Sequence, residues 1–313
     1  MKAIQISEYG GPDVMKYVEL PNPVPGENEV LLDVTAIGIN YADTHQTENS
    51  YLSPQKLPMI PGLEITGIFD GKRYLASVNS GGYAEKATAF KTMLAPIPDS
   101  VTDEQALCML VQGTTAWHIL KTMSHLSSGE TVVIHAAAGG VGTLAIQLAK
   151  MWGAKVIAVT SSAEKAVLAQ SLGADEVVDA NVEDLGKELR RANGGKGVDI
   201  VLEMVGGNTF DESMKALGDF GRMVTYGMAS RTAPTPIHPG ALMHGSKTVS
   251  GFWLANCFAS PSMMGDVIAQ LFVLVADGKL KPVIGGIYPL DSAPEAHKAM
   301  LERKTSGKVV LKP

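Results

Sequence analysis

Cysteine is almost missing: the 313 residues contain two, Cys108 and Cys257. Two thiols are too few for a disulfide framework or a four-thiolate zinc lobe, so a reducing, cytoplasmic setting is the simplest expectation. Basic residues are in deficit, 26 Lys and Arg against 32 Asp and Glu, and a chain of net charge −6 gives no sign of the cationic face that nucleic acid requires. No apolar run is long enough for a bilayer, since the longest, Val267–Ala276, is broken by Gln270. The first residues, MKAIQISEYGG, alternate like an edge strand and lack the apolar core of a signal peptide, so neither export nor membrane insertion is expected. There is no internal repeat and no low-complexity tract. What is present is a globular composition, 45% hydrophobic and 19% charged, in a chain long enough for two domains of ordinary size.

The stretch with the sharpest local signal is TVVIHAAAGGVG, Thr131–Gly142. Thr131–His135 reads as a short buried strand, Ala136–Gly142 as a small-residue turn, and Leu144–Ala149 as the apolar face of a helix. Ala137, Gly139 and Gly142 fit A-x-G-x-x-G, close to the pattern that lets a pyrophosphate lie against backbone N–H groups at a helix N-terminus. Gly139 and Gly140, with Val141 between them and Gly142, permit close approach of the backbone to a ligand, and Gly142 permits close packing of helix on strand. A second strand, Lys155–Val159, completes a βαβ unit. At its end stand Thr160, Ser161 and Ser162, with Lys165 in the first turn of the next helix. An NAD site would be expected to place an acidic residue there for the ribose 2′-hydroxyl. Hydroxyls and a lysine suit a 2′-phosphate instead, which favours NADPH.

Residues 1 to about 120 are rich in strand and turn signals: Lys2–Ile6, Lys16–Glu19, Glu29–Ile37, Ile65–Phe69, Arg73–Ser77 and Gly82–Phe90, punctuated by Pro21–Pro25, Asn79-Ser-Gly-Gly82 and Pro96-Ile-Pro98. A helix capped by Ser100 or Thr102 is expected to run through Val111. From about 121 to 255 strands and helices alternate: Val177-Val178, the helix Val182–Asn193, the strand Val198–Glu203, the helix Thr209–Leu217, then strands at Gly221–Tyr226 and Thr248–Trp253. That series suits a doubly wound parallel sheet. The tail adds helices over Ser262–Asp277 and Ser292–Glu302 and a closing strand, Lys308–Leu311.

Six segments together carry a resemblance: Gly38-Ile-Asn-Tyr-Ala-Asp43, Pro61-Gly-Leu-Glu64, Gly81-Gly-Tyr-Ala-Glu85, Gly113-Thr-Thr-Ala116, Ala136–Gly142 and Lys304-Thr-Ser-Gly-Lys308. The chain resembles, over nearly its whole length, the zinc-free quinone oxidoreductases of the medium-chain dehydrogenase/reductase superfamily, relatives of zeta-crystallin. The resemblance implies an α/β protein. A GroES-like β-rich catalytic domain would span 1–120, completed by 256–313, and a Rossmann NADP-binding domain 121–255. It implies a homodimer paired through edge strands at Thr248–Trp253. It places Asn40 near nicotinamide and substrate, Tyr51 where related enoyl reductases have a proposed proton donor, Lys165 and Arg303 on the 2′-phosphate, and Tyr226 and Phe252 along the nicotinamide end. Gln112 either contacts the nicotinamide ribose or substrate, or serves the end of its helix.

Zinc-dependent relatives carry a Cys near the position of Asn40 and a His at that of Leu63, and neither cysteine of this chain lies near those places. Metal-free chemistry is therefore expected. Without a metal, hydride transfer works best on an acceptor that is already electrophilic, a quinone or an activated α,β-unsaturated carbonyl. A 2-enoyl thioester reductase, suggested by Gly221–Met228 and Gly251–Leu254, is the runner-up, and a non-catalytic NADPH-binding protein the reading from another class. Three departures bear on this: Ala180 stands where a 2′-phosphate tyrosine is common, His45 replaces a pocket aromatic, and Asp70-Gly-Lys72 shortens a loop.

Overall fold

Glu29–Ile39, EVLLDVTAIGI, alternates at its start and is continuously buried from Ala36 onward, the pattern of a strand that leaves a sheet edge and enters a core. The computed structural model describes every residue except Asn79, so that member of the expected turn Asn79-Ser-Gly-Gly82 lies outside the described residues. The chain divides into two units, Met1–Val111 with Met264–Pro313, and Gln112–Met263.

In chain order the elements are β1 (Lys2–Gln5), β2 (Lys16–Glu19), β3 (Glu29–Ile39), α1 (Tyr41–Thr47), β4 (Glu64–Phe69), β5 (Lys72–Ser77), β6 (Lys86–Phe90), β7 (Leu94–Pro96) and α2 (Asp103–Leu107). Next come α3 (Thr114–His118), β8 (Thr131–Ile134), α4 (Gly140–Met151), β9 (Lys155–Thr160), α5 (Ala163–Ser171), β10 (Glu176–Asp179) and α6 (Leu185–Ala192). The rest are β11 (Val198–Glu203), α7 (Gly207–Ala216), β12 (Leu217–Thr225), α8 (Pro239–Met243), β13 (Thr248–Gly251), α9 (Pro261–Ala276), β14 (Ile284–Pro289), α10 (Ala293–Leu301) and β15 (Lys308–Lys312).

The first unit is built on a sheet of order β14-β15-β3-β4-β5-β7, with β6 also paired to β3. All its pairs are antiparallel except β14 with β15. The returning tail strand β15 aligns Val309 with Ile39 and Val310 with Gly38. This register sets Lys308 beside the end of β3. Ile4, Ile6, Leu32, Ile37, Ile39, Ile65, Tyr83, Val309 and Leu311 fill the core beneath.

The second unit is a parallel sheet of order β10-β9-β8-β11-β12-β13. Its first strand, β8, lies between β9 and β11, where the winding reverses and where doubly wound sheets take their ligands. Val133, Ile157, Val201, Phe210 and Met223 pack in its core.

Two local features go beyond the sequence reading. Asn40 begins a helix, α1, and its backbone N–H donates to the Asp43 carboxylate at 2.9 Å. The helix of Thr102 is capped as expected, Thr102 Oγ1 accepting from the Gln105 N–H at 3.2 Å, but it does not stay α through Val111. It widens into a π turn at Met109–Gly113 and again at Ile119–Met123, either side of α3. The Val111 N–H leaves the helical ladder to donate to Glu64 Oε2 at 3.1 Å, and Ser124 Oγ donates to the carbonyls of Ile119 and Leu120. Side chains that capture ladder groups in this way favour π turns. Among the described residues no helix is long and apolar enough to cross a membrane.

Candidate active site

The glycine turn lies in the second unit, between β8 and α4. Ala136 takes a left-handed φ of 48°, the Gly139 N–H donates to the Ala136 carbonyl at 2.8 Å, and the Ala137 N–H to the Val159 carbonyl at 3.1 Å. A Cβ on Gly142 would stand 2.5 Å from the Ala136 carbonyl oxygen and 2.6 Å from that of Ala137, so α4 packs directly on loop backbone. At Gly139 a Cβ meets a single oxygen, at 3.1 Å. The glycine cap of α4 has no side chain to engage the first N–H groups of this 12-residue helix, which leaves them for an anion. Gly140 makes room within the protein itself. A methyl group there would fall inside the Gln112 side-chain amide, so the close approach at Gly140 is that of Gln112, delivered by the first π turn. Gln112 is buried and its Oε1 has no partner among the described residues. Val141 lies half-buried in the first turn of α4.

At the end of β9, Thr160 is buried and its carbonyl accepts from the Ala180 N–H at 2.7 Å. Ser161 is half-buried, while Ser162 caps α5 by accepting from the Lys165 N–H at 3.3 Å. The Lys165 side chain is half-buried in that first turn. A hollow of about 390 Å³ opens beside them, lined by Thr160, Ser162, Ala163, Ala166, Gln170, Val177 and Asp179. Reading along β9 alone missed Asp179, which β10 sets in register with Thr160. Its Oδ1 accepts from the backbone and side-chain nitrogens of Asn181, both at 2.9 Å, so this carboxylate is engaged in its own turn.

Two further groups of this unit flank the ends of β11 and β12. Tyr226 follows β12, its N–H donating to the Glu203 carbonyl at 3.0 Å, and burial pushes its phenol up. Phe252 stacks on His118 with ring centroids 5.9 Å apart. Glu203, absent from the sequence candidates, is buried at the end of β11. Its Oε1 accepts from the N–H groups of Val205 and Gly206, its Oε2 has no partner among the described residues, and burial raises its pKa. An acid closing a strand just before Gly206-Gly207 was the signal available.

The first unit holds Asn40, Tyr51 and Arg303. Tyr51 lies half-buried in the segment after α1, with His45 bonded through Nδ1 to Ser50 Oγ at 2.9 Å. Arg303 follows α10 in a left-handed conformation, exposed. Asn40 is the centre of a buried polar network. Its Nδ2 donates to Glu64 Oε1 at 2.8 Å, and its Oδ1 accepts from Lys308 Nζ at 3.1 Å. Lys308 also pairs with Glu64, both side chains fully buried. Asp43 Oδ2 accepts from the Tyr83 hydroxyl at 2.9 Å, and that hydroxyl lies 2.8 Å from His297 Nε2. The tyrosine donates to the carboxylate, so the imidazole donates to the tyrosine. Gly38 makes room for the ion pair: a Cβ there would stand 2.5 Å from Glu64 Oε1 and 2.6 Å from Lys308 Cε. Four of the six segments singled out in the sequence thus converge on one cluster. Among the described residues no group of three or more His, Cys, Asp or Glu is arranged to hold a metal ion.

Burial also sets the acid response. It lowers His135 and His297 from 6.5 to about 4 and raises Asp43 from 3.8 to about 6. A histidine with a depressed folded-state pKa stabilises the fold fully above 6.5 and loses that contribution as the pH falls toward 4. Each is worth on the order of 3 kcal/mol. Asp43 and Glu203, both raised by burial, act in the opposite sense, the contribution of Asp43 being lost as pH rises from 3.8 through 6, but the two imidazoles carry the larger shifts. We expect the urea midpoint to fall between pH 6.5 and 4. His135→Gln, whose amide can donate to Ser213 in place of Nε2, flattens that slope; a slope unchanged by the substitution would refute the assignment.

Comparison with known proteins covers the whole chain. Residues 26–73 match the alcohol dehydrogenase GroES-like domain and residues 140–272 the zinc-binding dehydrogenase family. A quinone oxidoreductase of Pseudomonas aeruginosa is 32% identical, over 100% of this chain and 99% of its own length. The structure of Escherichia coli quinone oxidoreductase complexed with NADPH superposes with a TM-score of 0.94 at 32% identity, covering 100% of both chains. The quinone oxidoreductase of Thermus thermophilus, described with its NADPH complex, gives 0.90 at 36% identity, again over 100% of both.

Proposed function

The chain belongs to the quinone oxidoreductase family of the medium-chain dehydrogenase/reductase superfamily, and on that premise we propose that it is an NADPH-dependent reductase of quinones and similarly activated enones. The carrying observation is the full-length match to a quinone oxidoreductase seen with NADPH. The nucleotide loop fits that cofactor: an open helix N-terminus at Gly139–Gly142 for the pyrophosphate, a Gln112 oxygen without a partner among the described residues against the same turn, and a hollow lined by Thr160 and Ser162 for the 2′-phosphate end, with Ser161 and Lys165 next to them along the chain. NADPH, when bound, supplies the hydride.

The chain's own contribution is binding, orientation and hydrogen bonding. Tyr226 and Phe252 line the nicotinamide end in this reading. Asn40 donates a hydrogen bond to the acceptor oxygen as charge develops there. Tyr51, a donor rather than a base at neutral pH, is the candidate proton source. Arg303 joins the 2′-phosphate site on the strength of the family resemblance. Asn40 and Leu63 standing where zinc-dependent relatives have ligands support chemistry without a metal. Two buried free thiols support a reducing, cytoplasmic setting.

Nicotinamide absorbance tests this directly, with NADPH and NADH run against a quinone, a small enone and an enoyl thioester. NADPH loss with the quinone is expected; loss only with the thioester, or with none, would overturn the reading. Lys165→Ala should weaken NADPH binding about tenfold, roughly 1.4 kcal/mol, and leave NADH unchanged, while an equal loss for both would remove Lys165 from the phosphate site. The family resemblance, with β13 at a sheet edge, supports a homodimer through that strand, and a monomeric mass by light scattering would contradict it.

A further inference from the structure

We propose that Glu64 and Lys308 are positioning residues for the reduction: they hold the Asn40 amide in a single orientation, with its second Nδ2 hydrogen kept for the acceptor oxygen. The inference rests on the reading that Asn40 serves the acceptor. An amide can be flipped about its last torsion at little energetic expense when its neighbours are indifferent. Here they are not. One side of Asn40 faces a carboxylate, at 2.8 Å from Nδ2, and the other an ammonium, at 3.1 Å from Oδ1. Flipping it would set the amide oxygen against Glu64 and the NH₂ group against Lys308, both fully buried, where neither like-poled contact is relieved by water.

Glu64 is itself held at both oxygens, since Oε2 accepts from the Val111 N–H in the π turn at 3.1 Å while Oε1 faces Lys308 and Asn40. Lys308 is held by the register of β15 on β3, and Gly38 keeps the space through which the pair meets. Glu64 and Lys308 thereby hold one Nδ2 hydrogen and the amide oxygen of Asn40, and the second Nδ2 hydrogen is the one this proposal gives to the acceptor. The pair supplies orientation rather than donor strength. Accepting from the ammonium sharpens the remaining N–H, but donating to the carboxylate blunts it, and the two effects oppose each other. A buried ion pair is also a poor device for stability alone, because apolar residues of the same volume often serve as well. Its presence next to the one amide assigned to the acceptor is what a positioning role explains.

Three variants separate this role from a merely structural one: Asn40→Ala, Glu64→Gln, and the double exchange Asn40→Asp with Glu64→Gln. Each is assayed for melting temperature, NADPH affinity, and kcat and KM with a quinone. Glu64→Gln should still fold, with a lower melting temperature because Lys308 loses its buried carboxylate, and should bind NADPH as before, with kcat about tenfold lower, because a neutral amide no longer dictates which way Asn40 faces. The double exchange conserves the net charge and the hydrogen-bond count beside Lys308, so its melting temperature should return. The carboxylate it places in the position of Asn40 carries no N–H, so turnover should stay at the Asn40→Ala level.

If turnover instead follows melting temperature and returns in the double variant, the pair is structural and the proposal falls. It falls equally if Glu64→Gln retains full kcat while Asn40→Ala does not. Full activity in Asn40→Ala would remove the premise about Asn40 while leaving the reductase reading intact. A wild-type protein that never oxidises NADPH with quinones would remove both.

Discussion

Lys308→Met is expected to cost the fold about 3–5 kcal/mol, the range for removing one partner of a buried ion pair. Methionine fills most of the lysine's volume, so the loss is electrostatic rather than a cavity. Glu64 would keep its charge at a site with no solvent, or give it up by taking a proton. Asp43 would suffer with it, because Lys308 is among the groups that lower its pKa against the effect of burial. Its folded-state value would climb further above 3.8, and stability would then fall more steeply as pH rises. Lys308→Met with Glu64→Met should recover most of the loss, since an apolar pair leaves no charge stranded. Urea denaturation at neutral pH reads both. A single-variant loss under about 1 kcal/mol, the scale of an exposed pair, would show that the pair is not buried as described.

The second large effect is expected at Gly142. A Cβ there meets two backbone carbonyl oxygens at 2.5 and 2.6 Å, and backbone cannot turn aside as a side chain would. Gly142→Ala should therefore push α4 off the loop, costing about 1–3 kcal/mol as an overpacked site and weakening NADPH about a hundredfold, roughly 2.7 kcal/mol. Gly139→Ala is the control, because its Cβ would meet one oxygen at 3.1 Å and otherwise open space. It should melt with the wild type and lose affinity for NADPH alone, which separates ligand approach from packing. Wild-type NADPH affinity in Gly142→Ala would defeat the account of the turn.

The ion pair and the glycine turn differ in how visible they are along the chain. The turn at Ala136–Gly142 is local: a buried strand, absent side chains and a helical stripe within twenty residues, each dictated by backbone sterics and short-range packing. Its neighbours β9, β11 and α6 were equally legible from their own periodicity. Even Asn40 with Asp43 three residues on was a helix start that could have been read, since the acid reaches back to the Asn40 N–H.

The π turn was not legible, because the bond that opens it goes from Val111 to a glutamate 47 residues earlier. Nor was the neighbour of Thr160, since which strand lies beside β9 depends on sheet order and not on β9 itself. The amino-acid sequence by itself determined the fold class, the glycine turn and the family, because these follow from periodicity, glycine placement and motif spacing along short stretches of chain. Only the tertiary structure decided what surrounds Asn40. Glu64 and Lys308 stand 244 residues apart, and Tyr83 and His297 214; no local preference encodes such pairs. They meet because the tail returns as β15 onto the end of β3, and the burial that follows makes each charge depend on its partner.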